Sequence, residues 1–253
     1  MTFDPAHAFR LDGQVCIVTG AGRGIGRAVA EGALRSGARV HLFDRDAATL
    51  AETAAAIGGT AHPVDVADEG ALTGAVERVF AAEGRIDALV NNAGTALRRP
   101  SIDLTLEEWQ GVIDLNLTAV FLAARAAARH MLAAKRGAIV NIASIMGLSG
   151  GGLYPNISYQ ASKGGVVNLT RALAVEWAPD VRVNAVAPTW VRTGFIAPLL
   201  ARPDLIARIE AMTPMGRLAE PDEIVGAVLF LLSPAAAMVT GHTLPVDGGF
   251  LAQ

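Results

Sequence analysis

The sequence predicts an α/β fold, a parallel sheet covered by helices. Three observations carry this. Short apolar runs alternate with longer Ala-rich helical patterns from about residue 14 to residue 188. The first run leads into a Gly-rich turn and then a helix. Polar residues recur where the runs end, the place where open α/β sheets bind ligands.

Gln14 to Thr19 reads as a buried strand. Gly20, Gly24 and Gly26 follow in the pattern Gly-x-x-x-Gly-x-Gly, with Ile25 standing where the common Gly-x-Gly-x-x-Gly fingerprint would need Gly. The physics is unchanged. A turn without Cβ atoms lets backbone N–H groups approach a pyrophosphate at a helix N-terminus, where the dipole favours anions. The helix runs to about Ser36.

Arg39 to Phe43 is the second strand, ended by Asp44. An acidic residue at this distance from the turn can accept hydrogen bonds from an adenosine ribose and repel a 2′-phosphate. Arg23 and Arg45 pull the other way, since either could reach toward a phosphate. Asp46 is the better helix cap, which favours a ligand role for Asp44.

A third strand, Thr60 to Val66, delivers Asp65 and Val66 to the ligand end of the sheet. A fourth, Asp87 to Val90, leads to Asn91-Asn92-Ala93-Gly94, where the small residues leave room for a flat ligand. Leu104 to Ala134 reads as one long helix, capped by a Thr105/Glu108 box. Asn116 lies inside it among apolar residues, so it is either a local polar tie or a water-holding group beneath a site. Gly137 to Ala143 is a fifth strand ending at Ser144, and Gly147 to Gly152 suits a mobile substrate loop. A helix follows to Trp177, then a strand from Val181 to Ala187 that ends at Pro188.

That last helix carries Tyr159 and Lys163 one turn apart on one face. Bringing a phenol from its ordinary pKa of ~10 to about 7 takes roughly 4 kcal/mol. An ammonium at ~4 Å and an effective dielectric of ~20 supplies about that much. The pair could therefore move a proton at neutral pH.

The bulk numbers exclude several classes. The chain has 253 residues, 52% of them hydrophobic, and is expected to form a single domain over 1–253. A net charge of −3 without a basic stripe argues against nucleic acid. No run reaches ~18 apolar residues without charge, so no membrane span is expected. Met1 to Asp12 lacks a signal-peptide core, and the expected compartment is the cytoplasm. Cys16 is read as a core residue. His7, His41, His62, His130 and His242 are read as surface or strand-end residues, and no metal is assigned.

Taken together, the Gly20/Gly24/Gly26 turn, Asn91 to Gly94, Asn116, Ser144 and Tyr159-x-x-x-Lys163 resemble the short-chain dehydrogenase/reductase family in order and spacing. The resemblance runs from about Leu11 to the C-terminus and includes Val239-Thr240-Gly241 and Val246-Asp247-Gly248-Gly249. It implies a doubly wound Rossmann-type fold, with a seven-stranded parallel sheet and helices on both faces. A substrate loop at about 188–216 would be inserted near the C-terminal end. The implied reaction is NAD(P)-dependent interconversion of a secondary alcohol and its ketone.

The resemblance also implies roles. Tyr159 is the general acid/base, and Ser144 holds the substrate oxygen. Lys163 binds the nicotinamide ribose and lowers the Tyr159 pKa, and Asn116 holds a water in a proton relay. Asp65 and Val66 contact adenine, and Asn92 lies along the adenosine ribose. Gly20, Arg23, Gly24, Ile25, Gly26, Asp44 and Arg45 are further cofactor-binding candidates. Asn92, Ala93 and Gly94 lie along the cofactor. Pro188, Thr189, Val191 and Thr193 run beside the nicotinamide. One departure stands out: the family usually has Gly after this Pro, whereas here Thr189 and Trp190 make a bulkier wall.

The expected cofactor is NAD rather than NADP, from Asp44. Candidate substrate residues are Ser149, Tyr154, Trp190 and Phe195, with Arg98 and Asn156 as further polar options. The stretch from Met212 onward resembles polyol and related alcohol dehydrogenases, and 3-oxoacyl reductases as well. The rivals are therefore an NADPH-dependent 3-oxoacyl-type ketoreductase and a non-catalytic NAD-binding regulator; Asp44 argues against the first and the full catalytic set against the second. A homotetramer or homodimer is expected, because Gly164, Gly165, Ala172 and Ala174 would let helices approach closely.

Overall fold

The computed structural model describes residues 4–151 and 153–253. Its strands are β1 (Val15–Thr19), β2 (Arg39–Asp44), β3 (Thr60–Pro63), β4 (Ala88–Asn91), β5 (Gly137–Ile142), β6 (Val181–Pro188) and β7 (Thr243–Val246). They form one seven-stranded parallel sheet in the order β3-β2-β1-β4-β5-β6-β7. The order reverses direction between β1 and β4. The crevice beyond the carboxyl ends of those two strands is where such sheets bind ligands.

The main helices are α1 (Gly24–Arg35), α2 (Ala47–Ile57), α3 (Glu69–Glu83), α4 (Leu106–Ala133), α5 (Ile157–Trp177), α6 (Pro203–Met212) and α7 (Asp222–Leu232). They cover both faces of the sheet, and β1 shows why. Val15 and Ile17 pack into a core with Val76 of α3, Ala123 of α4 and Leu173 of α5. Cys16 and Val18 point the opposite way, toward Val29 of α1, Leu50 of α2 and Val228 of α7. Alternate side chains of a strand face opposite sides, so a strand buried on both must be apolar throughout.

Several boundaries fall where the sequence puts them. Asp46 caps α2, accepting from the Thr49 N–H at 3.1 Å. Thr105 and Glu108 form the expected capping box at the start of α4. β3 stops at Pro63, although the chain stays tied to β2 through Val64 N–H donating to the Asp44 carbonyl at 2.9 Å. The long helix is interrupted: Asp114–Thr118 forms a π-helical turn around Asn116. Such turns are rare and occur often at functional sites.

By length and composition α4 could cross a membrane. Half of its most apolar window is buried, with Ala119, Ala123, Ala127 and Met131 packed into the core. It is a core helix of the sheet. His41 also departs from expectation. It is buried in β2, bonded to His62 at 2.9 Å and to Glu83 at 3.1 Å. Two of the small residues of α5, Gly165 and Ala174, pack within this chain, whereas Ala172 is exposed. A Cβ on Gly165 would lie 2.8 Å from Leu117, and Ala174 is buried against Gly241.

Candidate active site

A cleft of about 420 Å³ opens along the carboxyl ends of the strands. One end is built largely from backbone. Gly20 and Gly24 hold φ of +63° and +57°, the left-handed region that favours glycine. Gly26 is needed for a different reason: a Cβ there would lie 2.1 Å from the Gly20 carbonyl oxygen. Asn92 braces the same turn, its amide donating to the Thr19 and Gly20 carbonyls at 3.0 Å each. Thr53 adds a bond to the Gly22 carbonyl at 2.7 Å.

Asp44 sits above this turn. Its two carboxylate oxygens accept from the N–H groups of Gly22 and Asp46, each at 3.0 Å. Each oxygen keeps a lone pair for a further donor. Arg23 and Arg45 line the same end of the cleft. Asp65 and Val66 form its far wall.

The other end gathers Ser144, Tyr159 and Lys163. Lys163 is buried, and its Nζ donates to the Ile142 carbonyl at 2.6 Å. Burial pulls its pKa down to about 8, so it still carries charge at neutral pH. Nζ lies 5.7 Å from the Tyr159 ring centroid. The phenol is not lowered as the sequence argument expects. Burial pushes it up to about 12, opposed by hydrogen bonding from Ser144 and by the Arg98 guanidinium. Spacing sets the distance to Lys163 but not the desolvation of the phenolate, which dominates here.

Asn116 is fully buried and stands behind the cleft wall. Its amide oxygen accepts from Thr95 N–H at 2.8 Å, and its nitrogen donates to the Thr95 carbonyl at 2.8 Å and to Ser162 Oγ at 3.0 Å. Ser162 Oγ in turn donates to the Tyr159 carbonyl at 2.8 Å. The side chain of Asn116 is thus the polar tie of the two readings, joining the loop after β4 to the helix that carries Tyr159. No sequence pattern marks Ser162; its place between Asn116 and Tyr159 emerges only from the fold.

The substrate side holds Tyr154, Trp190 and Phe195 on the wall, as expected. Trp190 Nε1 donates to the Tyr154 hydroxyl at 2.9 Å. Ser149 does not line the cleft; its hydroxyl turns inward and donates to the Ile145 carbonyl at 3.0 Å. Gly152, at the end of the expected mobile loop, lies outside the described residues. Every residue expected to hold the cofactor lines the cleft except Gly26, which supports it from beneath. Thr189, the departure from the family pattern, lines it too, with Oγ1 buried and without a hydrogen-bond partner among the described residues.

These residues fit a dinucleotide: a backbone turn for phosphates at one end, an unsatisfied hydroxyl and a buried ammonium at the other. A family model described as enoyl-(acyl carrier protein) reductase matches residues 20–251. A galactitol 2-dehydrogenase (L-tagatose-forming) of Cereibacter sphaeroides is 44% identical over 251 residues, covering 98% of each chain. A D-threitol dehydrogenase of Mycolicibacterium smegmatis is 43% identical, covering 96% of this chain and 94% of its own. The solved structure of a candidate NAD(P)-dependent gluconate 5-dehydrogenase from Beutenbergia cavernae, with NADP at low occupancy, superposes with a TM-score of 0.90. It is 43% identical and is matched over 97% of this chain and 100% of its own. The chain belongs to the short-chain dehydrogenase/reductase family. It is an oxidoreductase of the class that acts on CH–OH groups, and that family uses NAD(P).

Proposed function

We propose that this chain interconverts a secondary alcohol of a polyol or sugar-derived compound and its ketone, with Tyr159 as general acid/base and NAD as the preferred cofactor. One observation carries the reading. The half-buried Tyr159, Ser144 and Lys163 share a single cleft with the glycine turn and Asp44.

The bound dinucleotide would supply the hydride acceptor for oxidation and the donor for reduction. In oxidation, Tyr159 Oη takes the proton of the substrate hydroxyl. Ser144 Oγ steadies the same oxygen as charge builds on it. Lys163 has donors beyond the bond to Ile142 and would hold ribose hydroxyls with them. Hydrogen bonding from Ser144 and the charge of Arg98 favour the phenolate, against the burial that resists it. Asn116 acts as a positioning residue, through Ser162 and the backbone of Tyr159.

The NAD preference rests on Asp44, whose carboxylate would accept from ribose hydroxyls and repel a 2′-phosphate. An NADPH ketoreductase is the second reading, favoured by Arg23 and Arg45 on the same wall and by the NADP in the related structure. Assembly into a homodimer or homotetramer belongs to the same proposal. Its support is apolar surface on the helices, with Leu106 80% and Val175 82% exposed. Light scattering showing only a 26.2 kDa particle would remove it.

The test of function is a panel of polyols, sugar acids and plain secondary alcohols, each with NAD⁺ and with NADP⁺. Turnover of a polyol-type substrate with NAD⁺ is expected. Reduction of 3-oxoacyl compounds with NADPH alone would turn the assignment to the ketoreductase, and no hydride transfer with any alcohol would remove it.

A further inference from the structure

Two polar groups on the substrate wall have nothing to bind. Arg98 lies on the loop after β4, and its guanidinium sits over the Tyr154 ring, 5.1 Å from the centroid. Its Nε is buried and has no partner among the described residues, and it forms no ion pair there. Tyr154 is held in turn by the Trp190 indole, and Phe250 packs edge-on to that indole at 5.4 Å. The guanidinium is therefore oriented by an aromatic stack and not by a carboxylate. A guanidinium held in this way has an Nε–H without an acceptor among the described residues, and carboxylates meet guanidinium groups with two parallel hydrogen bonds.

Asn156 is the second group. It is the residue before α5, and Asn is among the strongest helix N-caps. Yet its side chain makes no capping bond. It is 5% exposed, it lines the cleft, and its Oδ1 is buried without a partner among the described residues. Leaving a buried amide unmet costs stability unless something else meets it. The acidic residues of the cleft wall, Asp44 and Asp65, belong to the nucleotide end. The substrate end thus has a positive charge without an acidic partner among the described residues, and on the same cleft an unmet amide oxygen.

We propose that Arg98 and Asn156 form a subsite for the acid end of the substrate, and that the preferred substrates are hydroxy acids of the sugar-acid class rather than neutral polyols. The carboxylate pairs with the guanidinium of Arg98. Asn156 meets a hydroxyl of the carbon chain. The carbinol to be oxidised then extends toward Ser144 and Tyr159. One guanidinium balances a monoanion, which favours a carboxylate over a phosphate dianion. This inference rests on the dehydrogenase reading above.

The experiment compares kcat/KM for matched aldonate and alditol pairs of increasing chain length, D-gluconate against D-glucitol among them. The aldonate of at least one pair is expected to exceed its alditol by about 10- to 100-fold, the value of a charge-assisted bond pair. Arg98→Gln collapses that ratio toward one through the aldonate KM, and Arg98→Lys restores part of it. Asn156→Asp, which sets a second anion in the subsite, lowers aldonates more than alditols. As a check independent of turnover, D-gluconate raises the Tm of the NAD⁺-loaded protein more than D-glucitol does, and Arg98→Gln removes the difference.

Alditols equal to or better than aldonates in the unmodified protein would overturn the subsite while leaving the dehydrogenase intact. So would Arg98→Gln lowering both classes by one factor, since that would confine Arg98 to favouring the Tyr159 phenolate. Failure of every alcohol, plain ones included, would overturn the dehydrogenase reading and the subsite with it.

Discussion

The two ends of the cleft are made in different ways. The nucleotide end is a backbone turn braced by side chains: the glycine turn after β1 is tied to the Asp44 carboxylate at the end of β2 and to the Asn92 amide after β4. The substrate end is side chains from separate loops: Arg98 after β4, Tyr154 before α5, Trp190 after β6 and Phe250 near the C-terminus. A backbone site tolerates few substitutions because the group that binds is the chain itself. A side-chain site can be re-specified one residue at a time, which is how one fold serves many substrates.

The largest effect expected falls between the two ends. Tyr159→Phe removes the proton-transferring oxygen and keeps the ring packed. Turnover should fall by about 10³-fold or more, at the upper range for general acid/base groups. NAD⁺ affinity, measured by calorimetry, should stay within a few-fold. Turnover near that of the unmodified protein would take Tyr159 out of the mechanism, and a large loss of NAD⁺ affinity would merge the two ends into one unit.

Gly26→Ala attacks the backbone end. The new Cβ would lie 2.1 Å from the Gly20 carbonyl and 2.5 Å from the Asn92 amide, so both the turn and its brace must move. A loss of about 2–4 kcal/mol in urea unfolding is expected, in the range for overpacking a rigid site. NAD⁺ affinity should weaken at the same time. Near-native stability would mean that the turn is softer than its hydrogen bonds suggest.

Asp44→Ala is milder and tests chiefly the charge. It removes the anion facing Arg23 and Arg45, leaving a site that attracts a 2′-phosphate. The ratio of kcat/KM for NAD⁺ over NADP⁺ should fall by about 10- to 100-fold, a coupling typical of one lost charged contact. The variant also frees the N–H groups of Gly22 and Asp46, so a small loss of stability should accompany it. An unmodified protein that already prefers NADP⁺ would defeat the Asp44 argument.

The same contrast explains what could be read before the fold was known. The nucleotide end depends on local spacing, so Gly20 to Gly26, Asp44, Asp46 and Asn92 were all legible from their order. The apolar strands were legible because burial on both faces leaves an unbroken run. The π-helical turn at Asn116 was hidden, since Leu115, Asn116 and Leu117 fit an ordinary helix as well. The Asn116–Ser162–Tyr159 chain joins residues distant in sequence through side chains. The Tyr159 pKa was misjudged for a related reason. Spacing gives the distance to a charge but says nothing of how completely the phenol is buried.

The smallest predicted effect bears on the outer edge of the nucleotide end. His41 Nε2–H donates to Glu83, so its Nδ1 must accept from His62 Nε2–H. One proton thus sits between the rings on His62 Nε2, and His41 Nδ1 must stay bare to accept it. Burial pulls the His41 pKa down, though Glu83 opposes this. Burial pulls His62 down to about 4, helped by the His41 and Arg78 charges. A folded pKa below the unfolded value of 6.5 means that the stabilisation is complete above pH 6.5 and is lost as pH falls through about 4. With His62 only half-buried, solvent screening reduces its worth to about 1 kcal/mol. The window stands clear of the Arg217–Glu223 pair, whose carboxyl is held down to about 2. Urea unfolding at pH 7 and at pH 4.5 should show His62→Gln losing less stability on acidification than the unmodified protein. Hydrogen exchange in acid should quicken first along β3, the strand that leads to Asp65 and Val66, and later around Arg98 and Tyr154, since no histidine lines the cleft among the described residues. Identical acid limbs for the two proteins would mean that the paired rings tolerate the added proton, and that the nucleotide end owes its acid behaviour to its carboxylates.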